Sequence, residues 1–333
     1  MIEFIKRLPK AELHLHIEGS FEPELMFKLA QKNKIEIPYK TVEELKKAYN
    51  FSNLQSFLDI YYAGAKVLRT EEDFYLLTQA YILKCVENNI IHTEIFFDPQ
   101  SHTSRGIEFK TVLSGIKKGL DEAKEKYGIS SNIIMCFLRH LSQEDAFETL
   151  KQSLPYKESI IGVGLDSSEI GNPPSKFEEV FKEAKKEGFK LVAHAGEEAD
   201  VSYLFEALDL LDIQRIDHGV QAINSKELMQ RLKEEQIPLT LCPNSNIELK
   251  VFKNYKEHNL KKLLDYGLNV CINSDDPAYF KGYLNQNFIN VFENLDLSKE
   301  DIIKLVKNSF NSSFISNKLK EKYIKEVDKI AKS

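Results

Sequence analysis

Eight short runs with β-strand composition recur along the chain, at 11–17, 90–97, 132–138, 160–165, 189–195, 215–220, 237–242 and 268–274. Amphipathic helical patterns, such as PSKFEEVFKEAKKEG and KELMQRLKEEQ, lie between them. Strands that alternate with helices indicate parallel βαβ units. Eight such strands, about 25–30 residues apart from the third onward, favour an α/β fold of the closed (β/α)8 TIM-barrel type over an open sheet.

Two segments depart from this alternation. Residues 20–89 form a long insertion between the first and second strands, and their helical patterns carry aromatic residues on the apolar faces. Most of that apolar stripe is expected to be core, although the insertion could also cap the mouth of the barrel. The tail, from about 283 to 333, is expected to form further helices outside the barrel. Because no linker or internal repeat interrupts the pattern, residues 1–333 are predicted to form one domain.

Charge and cysteine usage restrict the partners and the compartment. The net charge of −6 argues against nucleic acid or an anionic membrane surface as a partner, since both require a basic surface. No run approaches the ~20 apolar residues that a membrane helix needs, and the first residues lack signal-peptide character. The cysteines are scattered without a C-x-x-C pair and are expected to be free thiols. We therefore expect a cytoplasmic protein; the sequence leaves its oligomeric state open.

Reactive side chains lie at the carboxyl ends of four predicted strands. In the first strand, His14 and His16 are two residues apart and therefore face the same side. The fifth, sixth and eighth strands end in HAGEE, DHG and SDD, which contain His194, Glu197, His218, Asp275 and Asp276. Barrel enzymes place their chemistry at this face, so these residues are expected to converge there.

Three imidazoles and a carboxylate at one rim suit a divalent transition metal, most simply Zn²⁺. A lone histidine is more often a hydrogen-bonded core residue, but four such motifs at the strand ends of one barrel favour a metal site. Barrel sites with two metals commonly need a bridging group, often a modified lysine after the fourth strand. Here the fourth strand ends in GLDSSE, so one metal ion per chain is predicted. Its chemistry would be the activation of water as a nucleophile.

The neighbouring residues suggest roles in such a reaction. Glu197 lies close enough to the metal motif to act as an acid or base on the substrate. His218 could take a proton from the attacking water or orient it, and Asp275 could accept a hydrogen bond from that water. Asp276 points to the other side of its strand end and is free to bind substrate. Asp217 alternates away from His218, which favours a supporting role.

These motifs, in this order, resemble the adenosine/adenine deaminase family of metal-dependent hydrolases. The matching segments are LPKAELHLHIEGS, GVGLDSSE, LVAHAGEE, RIDHGV, LCPNSN and NSDDPAYF, and they extend from residue 8 to 280. The resemblance implies one zinc ion held by His14, His16, His194 and Asp275. It also implies that Glu197 donates a proton to the purine N1, that His218 assists the attacking hydroxide, and that Asp276 contacts N7. The implied reaction is attack at C6 followed by loss of ammonia.

Two departures from the adenosine deaminase pattern concern the substrate. Adenosine deaminases typically read H-x-H-L-D-G-A and D-L-A-G-D-E, whereas this chain has HIEGS and LDSSE at those places. The extra methylene of Glu18 and the bulk of Ser168 and Glu169 would fill space that a ribose needs. With EIFFDPQSHTSRG and EIGNPPSKF, these features resemble the adenine deaminase branch, which acts on the free base. Glu18 and Glu169 are therefore predicted at the substrate, adenine, with hypoxanthine as the product.

Three alternatives stay open at this point. The nearest is an adenosine deaminase, and the second is a hydrolase that acts on N6-substituted adenine. The third, a non-enzymatic zinc- or purine-binding protein, predicts damage to the ligand set or to Glu197, and all of those residues are present. The physiological role that the resemblance implies is purine salvage.

Overall fold

The eight strands of the computed structural model, which describes residues 1–332, form one sheet whose strand order follows the chain. Each strand pairs in parallel with the next. The strands are β1 (Lys10–His16), β2 (Ile90–Phe97), β3 (Ser130–Leu138), β4 (Gly162–Asp166), β5 (Lys190–Ala195), β6 (Arg215–His218), β7 (Leu239–Leu241) and β8 (Val270–Ile272).

The sheet closes on itself just beyond the end of β8. Leu15 of β1 forms a parallel bridge with Asp275. The His16 N–H donates to the carbonyl oxygen of Asp275 at 3.0 Å, and the Asp275 N–H donates to the carbonyl oxygen of His14 at 3.1 Å. These contacts confirm the predicted (β/α)8 barrel and place its closure beside the H-x-H motif.

The predicted strand bounds hold to different degrees, and the eighth strand, predicted at 268–274, includes only Val270–Ile272. The second strand occupies its predicted range, 90–97. The seventh is shorter than its predicted range, 237–242, and includes only Leu239–Leu241. Pro238 cannot donate a ladder hydrogen bond, and Pro243 begins a helix, so both ends of this strand are cut back.

Helices surround the barrel on its outer side and fill both segments that depart from the strand–helix alternation. The insertion between β1 and β2 contains four of them and the tail three, as predicted. In residues 1–332 the helices are α1 (Ile2–Arg7), α2 (Pro23–Asn33), α3 (Val42–Ala48), α4 (Leu54–Ala65), α5 (Glu71–Asn88), α6 (Pro99–Thr103), α7 (Phe109–Tyr127), α8 (Gln143–Ser153), α9 (Glu178–Lys186), α10 (Val201–Asp209), α11 (Lys226–Glu235), α12 (Pro243–Glu248), α13 (Leu260–Tyr266), α14 (Leu284–Asn294), α15 (Lys299–Ser312) and α16 (Asn317–Ala331).

Two other sequence-based expectations concern the composition of these elements. All four cysteines are free and buried, which confirms the thiol prediction; they are Cys85, Cys136, Cys242 and Cys271. Within residues 1–332, none of the helices has the length and apolar character required to cross a membrane.

A charged network is buried within the barrel, away from its polar rim. The Arg215 guanidinium donates to Glu94, and Glu94 also accepts hydrogen bonds from Asn132 Nδ2 at 3.1 Å and the Phe314 N–H at 2.6 Å. Burial alone would raise the pKa of Glu94, but Arg215 and His92 outweigh that effect and lower the pKa to about 2. The carboxylate therefore stays ionised in the interior and ties β2 to β3 and β6.

Replacement of Glu94 by alanine is expected to lower the free energy of unfolding by about 3–5 kcal/mol, because the substitution leaves the Arg215 charge buried without its partner. Urea denaturation followed by circular dichroism measures the loss. Glu183→Ala is the matched control, since its ion pair with Lys186 is exposed and should contribute less than about 0.5 kcal/mol. Similar losses for the two variants would contradict a stabilising role of the buried pair.

Candidate active site

An extra residue in β1 turns the two histidines of the H-x-H motif into the barrel. Glu12 pairs with Thr93 and Leu15 pairs with Ile95, so β1 has one residue more than β2 between these pairs. Before this irregularity, Glu12 faces outward and accepts a hydrogen bond from Tyr81 of α5 at 2.7 Å. An extra residue of this kind shifts the alternation of a strand and re-aims its side chains. The histidines that follow therefore face the opposite side from Glu12.

Four donor atoms from β1, β5 and the end of β8 converge in a buried cluster. His14 Nε2 lies 3.1 Å from Asp275 Oδ1, and His16 Nε2 lies 3.4 Å from the same oxygen. His16 Nε2 is also 3.1 Å from His194 Nε2. Zinc–ligand bonds of 2.0–2.1 Å place neighbouring ligand atoms about 3–3.5 Å apart. These three separations are of that size, and one ligand atom each of His14, His194, His218 and Asp275 also lies within 4.8 Å of the others.

Protonation in this cluster also suits a metal. Burial, followed by the neighbouring histidines, lowers the pKa of His194 well below its ordinary value. Burial likewise lowers the pKa of His16. Burial alone would raise the pKa of Asp275, but the neighbouring His14 outweighs burial, so this pKa lies well below its ordinary range. Neutral imidazoles and an ionised carboxylate are the forms that bind Zn²⁺.

Thr240 and Asp217 fix the orientation of the His14 ring. The Thr240 hydroxyl donates to Asp217 Oδ1 at 2.7 Å and lies 3.0 Å from His14 Nδ1. Because the hydroxyl proton is directed at the carboxylate, Thr240 accepts from His14 Nδ1–H, which leaves Nε2 as a lone-pair donor. His14 Nε2 is buried, yet it has no hydrogen-bond partner among residues 1–332. Asp217 thus has the supporting position that its place in the strand predicted.

Glu197 and His218 lie beside the donor cluster. His218 Nε2 is 3.6 Å from Glu197 Oε2 and 3.7 Å from Asp275 Oδ2. Burial, and then the charge of Asp275, raises the pKa of Glu197 well above its ordinary value. A buried carboxyl that retains its proton can serve as a general acid. Glu197 lines the cavity, and its Oε1 accepts no hydrogen bond from the described part of the chain.

Asp276 packs directly on Gly19, which explains the glycine that follows the H-x-H motif. A Cβ atom at Gly19 would lie 1.9 Å from Asp276 Oδ1, so any other residue there would displace the aspartate. Asp276 lines the cavity, and no described residue forms a hydrogen bond with its Oδ1. The backbone after β1 and the carboxyl of Asp276 therefore fit each other only with glycine at residue 19.

Three residues that line the cavity have left-handed backbone conformations. Their φ angles are +76° at Ser167, +66° at His218 and +65° at Asp275. Such angles are uncommon for residues other than glycine and cost of order 1–3 kcal/mol each. Backbone strain of this kind concentrates at functional sites, and here it occurs at the proposed ligand Asp275 and at two other residues of the cavity wall.

Helix α4 of the insertion covers the mouth of the barrel. The cavity is lined on this side by Leu54, Phe57, Leu58, Tyr61 and Tyr62. The Tyr62 hydroxyl lies 2.9 Å from Ser167 Oγ, which joins the helix to the loop after β4. The insertion therefore caps the site, as the sequence suggested it could.

The structure places Glu18 behind the cavity wall rather than on it. Its Oε1 lies 2.7 Å from His102 Nε2 and accepts the Asp98 N–H at 3.3 Å. Burial raises the pKa of Glu18 to about 7. The carboxyl therefore contacts the segment after β2, and its direct contact with a substrate stays a prediction.

Glu169 also lies outside the cavity wall, and its carboxylate is surrounded by backbone amides. It accepts hydrogen bonds from the N–H groups of Gly196, Glu197, Glu198 and Ala199, at 2.6, 3.1, 2.8 and 2.9 Å. These four residues form the loop that carries Glu197 after β5, and the loop begins at Gly196 with φ of +64°. Glu169 thus contacts the loop, and its direct contact with a substrate stays a prediction.

The sequence analysis did not single out Asp98 or Tyr61, which line the cavity with Asp166. Asp98 directly follows β2 in FFDPQ, so the rule that located the other strand-end residues could have located it too. Tyr61 offered no comparable signal, because an aromatic residue on the apolar face of an inserted helix is more often core.

The chain matches the family model described as adenosine deaminase over residues 9–330. It is 75% identical over 328 residues to the adenine deaminase of Psychrobacter cryohalolentis, which covers 98% of this chain and 99% of that protein. It is 61% identical over 328 residues to the adenine deaminase of Acinetobacter baylyi, with 98% and 99% covered. Among solved structures, the adenine deaminase of Arthrobacter aurescens superposes with a TM-score of 0.96 at 47% identity, covering 98% of this chain and 100% of that one.

Proposed function

Because this chain belongs to the adenosine deaminase family, we propose that it hydrolyses the C6 amine of adenine, giving hypoxanthine and ammonia. The observation that carries the proposal is the convergence of His14, His16, His194 and Asp275 beside the buried acid Glu197 in one covered cavity. High identity to relatives named adenine deaminase over nearly their whole length supports the free base as substrate.

The proposal includes one zinc ion per chain, held by His14, His16, His194 and Asp275. Support comes from the spacing of their donor atoms and from the unpartnered His14 Nε2 described above. When bound, the ion supplies Lewis acidity that activates water near neutral pH.

The residues around the cluster act on the purine and on protons. Glu197, kept protonated by burial, donates to the purine N1 and so makes C6 more electrophilic. His218 Nε2 lies 3.6 Å from Glu197 and 3.7 Å from Asp275, and burial lowers its pKa to about 3, so its ring is neutral in the free protein. The charge of Asp275 stabilises the ring when it takes a proton from the attacking water. Asp276 hydrogen-bonds N7 and orients the ring. The exocyclic nitrogen takes the proton held by His218 and leaves as ammonia when the C6–N bond breaks, and the C6 hydroxyl returns a proton to Glu197 as the carbonyl of hypoxanthine forms.

Glu169 acts in this proposal through the loop that carries Glu197. Replacement by glutamine should lower kcat by about 10–100-fold, because an amide offers one oxygen and an NH₂ group to four N–H donors. Ammonia release measures kcat, and metal content should stay at the wild-type value. Glu206→Gln is the control, since Glu206 accepts one backbone N–H, that of Ser175, away from the cavity. A kcat unchanged in Glu169→Gln would exclude this role.

The proposal extends to the biological setting and to the unit of function. We place the enzyme in the cytoplasm and in purine salvage, and we take residues 1–333 as one functional domain. The barrel formed by one continuous sheet supports the single domain, and the likeness to a protein named adenine deaminase over 98% of the chain supports the role in salvage.

An ammonia-release assay with the zinc-loaded protein tests the proposed reaction. Adenine, adenosine, N6-methyladenine and AMP are compared at equal concentrations. We expect kcat/KM for adenine to exceed that for adenosine by at least about 10³-fold, since a site built for a substrate N–H rejects analogues that lack it. A value for adenine no greater than for adenosine would contradict the free-base assignment. N6-methyladenine releases methylamine instead of ammonia, so its turnover is followed as hypoxanthine formation by chromatography, and faster formation than from adenine would favour an N6-substituted substrate.

A further inference from the structure

One polar part of the cavity wall has no role in the proposed reaction. It consists of Asp98 and Asp166, at the ends of β2 and β4, and we refer to them as the Asp98–Asp166 pair. One ligand atom of each lies within 4.8 Å of the other and of His16. Ser167 also lines this part, but its hydroxyl is within hydrogen-bond distance of Tyr62 and His140. On this part of the cavity wall, the Asp98–Asp166 pair is therefore the polar group that can accept a hydrogen bond from a ligand.

Most carboxyl oxygens of the pair are buried and meet few donors. Asp98 and Asp166 are each 2% exposed. Asp98 Oδ2 accepts from the Tyr61 hydroxyl at 3.1 Å, and the two carboxyls interact with each other, so that they can share one proton. Apart from this contact and the Cys136 thiol beside Asp166, Asp98 Oδ1 and both oxygens of Asp166 meet no donor within residues 1–332. Leaving buried carboxyl oxygens unpaired is costly, so such groups are expected to meet a donor from a ligand.

The proposed substrate has one donor that the assigned residues leave unmet. If Glu197 contacts N1 and Asp276 contacts N7, the N9–H of the free base is left for the remaining polar wall. We infer that the Asp98–Asp166 pair accepts the N9–H of the purine and thereby selects the free base over the nucleoside. This inference rests on the proposed function and names the part of the site that sets its substrate class.

In a nucleoside, N9 carries the C1′ carbon of the sugar and has no proton. The pair would then keep its unpaired oxygens and face a saturated carbon in a buried site. Burial raises the pKa of both carboxyls, with the further effect of Glu18 on Asp98 and of Asp98 on Asp166. Since each carboxyl offers an acceptor oxygen whether or not it is protonated, the recognition does not depend on its titration.

Asp166 also lies beside His16, so an experiment must distinguish an effect on purine binding from an effect on metal binding. Its Oδ2 lies 3.4 Å from His16 Nδ1, so a substitution could act through the metal instead. Asp98 is therefore the principal variant, and metal content is measured for every protein.

The test compares adenine with 9-methyladenine in wild type, Asp98→Leu and Asp98→Asn. We expect Asp98→Leu, which has no acceptor oxygen, to lower kcat/KM for adenine by about 10–100-fold and to leave that for 9-methyladenine within about threefold, with metal retained. Asp98→Asn keeps a carbonyl oxygen and should lower the value for adenine by less than Asp98→Leu does. Asp121→Leu, in an exposed pair with Lys117, should change neither value. Calorimetric binding of hypoxanthine and 9-methylhypoxanthine gives the same comparison without turnover, so a slow variant remains informative.

An equal fall with both substrates in Asp98→Leu, or loss of metal from that variant, overturns the assignment. Absence of adenine turnover in zinc-loaded wild type would instead contradict the proposed function. The binding comparison still decides whether the Asp98–Asp166 pair distinguishes the free base from its N9-substituted form.

Discussion

Replacement of Glu197 by glutamine is expected to lower kcat for adenine by about 10³-fold while the metal is retained. Glutamine has nearly the same shape as glutamate, and Glu197 is not among the proposed ligands. Its amide, however, cannot give a proton to N1 as the buried carboxyl can. Ammonia release gives kcat, and inductively coupled plasma mass spectrometry gives zinc per chain.

The neighbouring residue provides the control for this variant. Glu198 is also an acid of the loop after β5, but it does not line the cavity. Glu198→Gln should therefore keep kcat within about tenfold of wild type, since substitutions away from the reacting atoms have small effects. Near-normal kcat in Glu197→Gln would show that another group donates the proton.

Replacement of His14 by alanine is expected to remove metal and activity together. The substitution deletes one of the four proposed donors, and the alanine methyl supplies no ligand atom at that place in the buried cluster. We expect zinc content below about a tenth of the wild-type value and turnover at the assay background. Unchanged zinc occupancy would contradict the ligand assignment.

Two further substitutions separate loss of a ligand from loss of its support. Thr240→Ala keeps His14 but removes the hydroxyl near Nδ1, so zinc affinity should fall by about 10–100-fold rather than vanish. His140→Ala removes an exposed imidazole that is not a proposed ligand and should leave zinc content unchanged. Equal zinc loss in all three variants would indicate general destabilisation instead of a specific site.

The barrel could be predicted because its evidence is local. Each strand is a short run with its own composition, and the alternation with helices determines the parallel order. The same reasoning placed His14 and His16 on one side of β1. It could not detect the extra residue between Glu12 and Leu15, because a register shift exists only between two paired strands.

The direction in which a loop side chain points was harder to predict from the sequence than the strands were. Glu169 follows β4 and was expected to face the substrate, yet its carboxylate accepts amides 27 to 30 residues further along the chain. Nothing within the LDSSE segment distinguishes these orientations. Asp98, in contrast, could have been predicted from the sequence, because it directly follows β2 as the other site residues follow their strands. It was left out because a single aspartate after a strand is more often an ordinary loop residue.

Closure of the barrel has a consequence for folding. The hydrogen bonds that join β1 to Asp275 involve the backbone of three proposed ligands, so the last strand contact and the donor set form in the same event. An intermediate with an open barrel would have no complete site and little affinity for zinc. The ion would then act as a cross-link between the first and last strands, and its concentration would bias the chain toward the closed form.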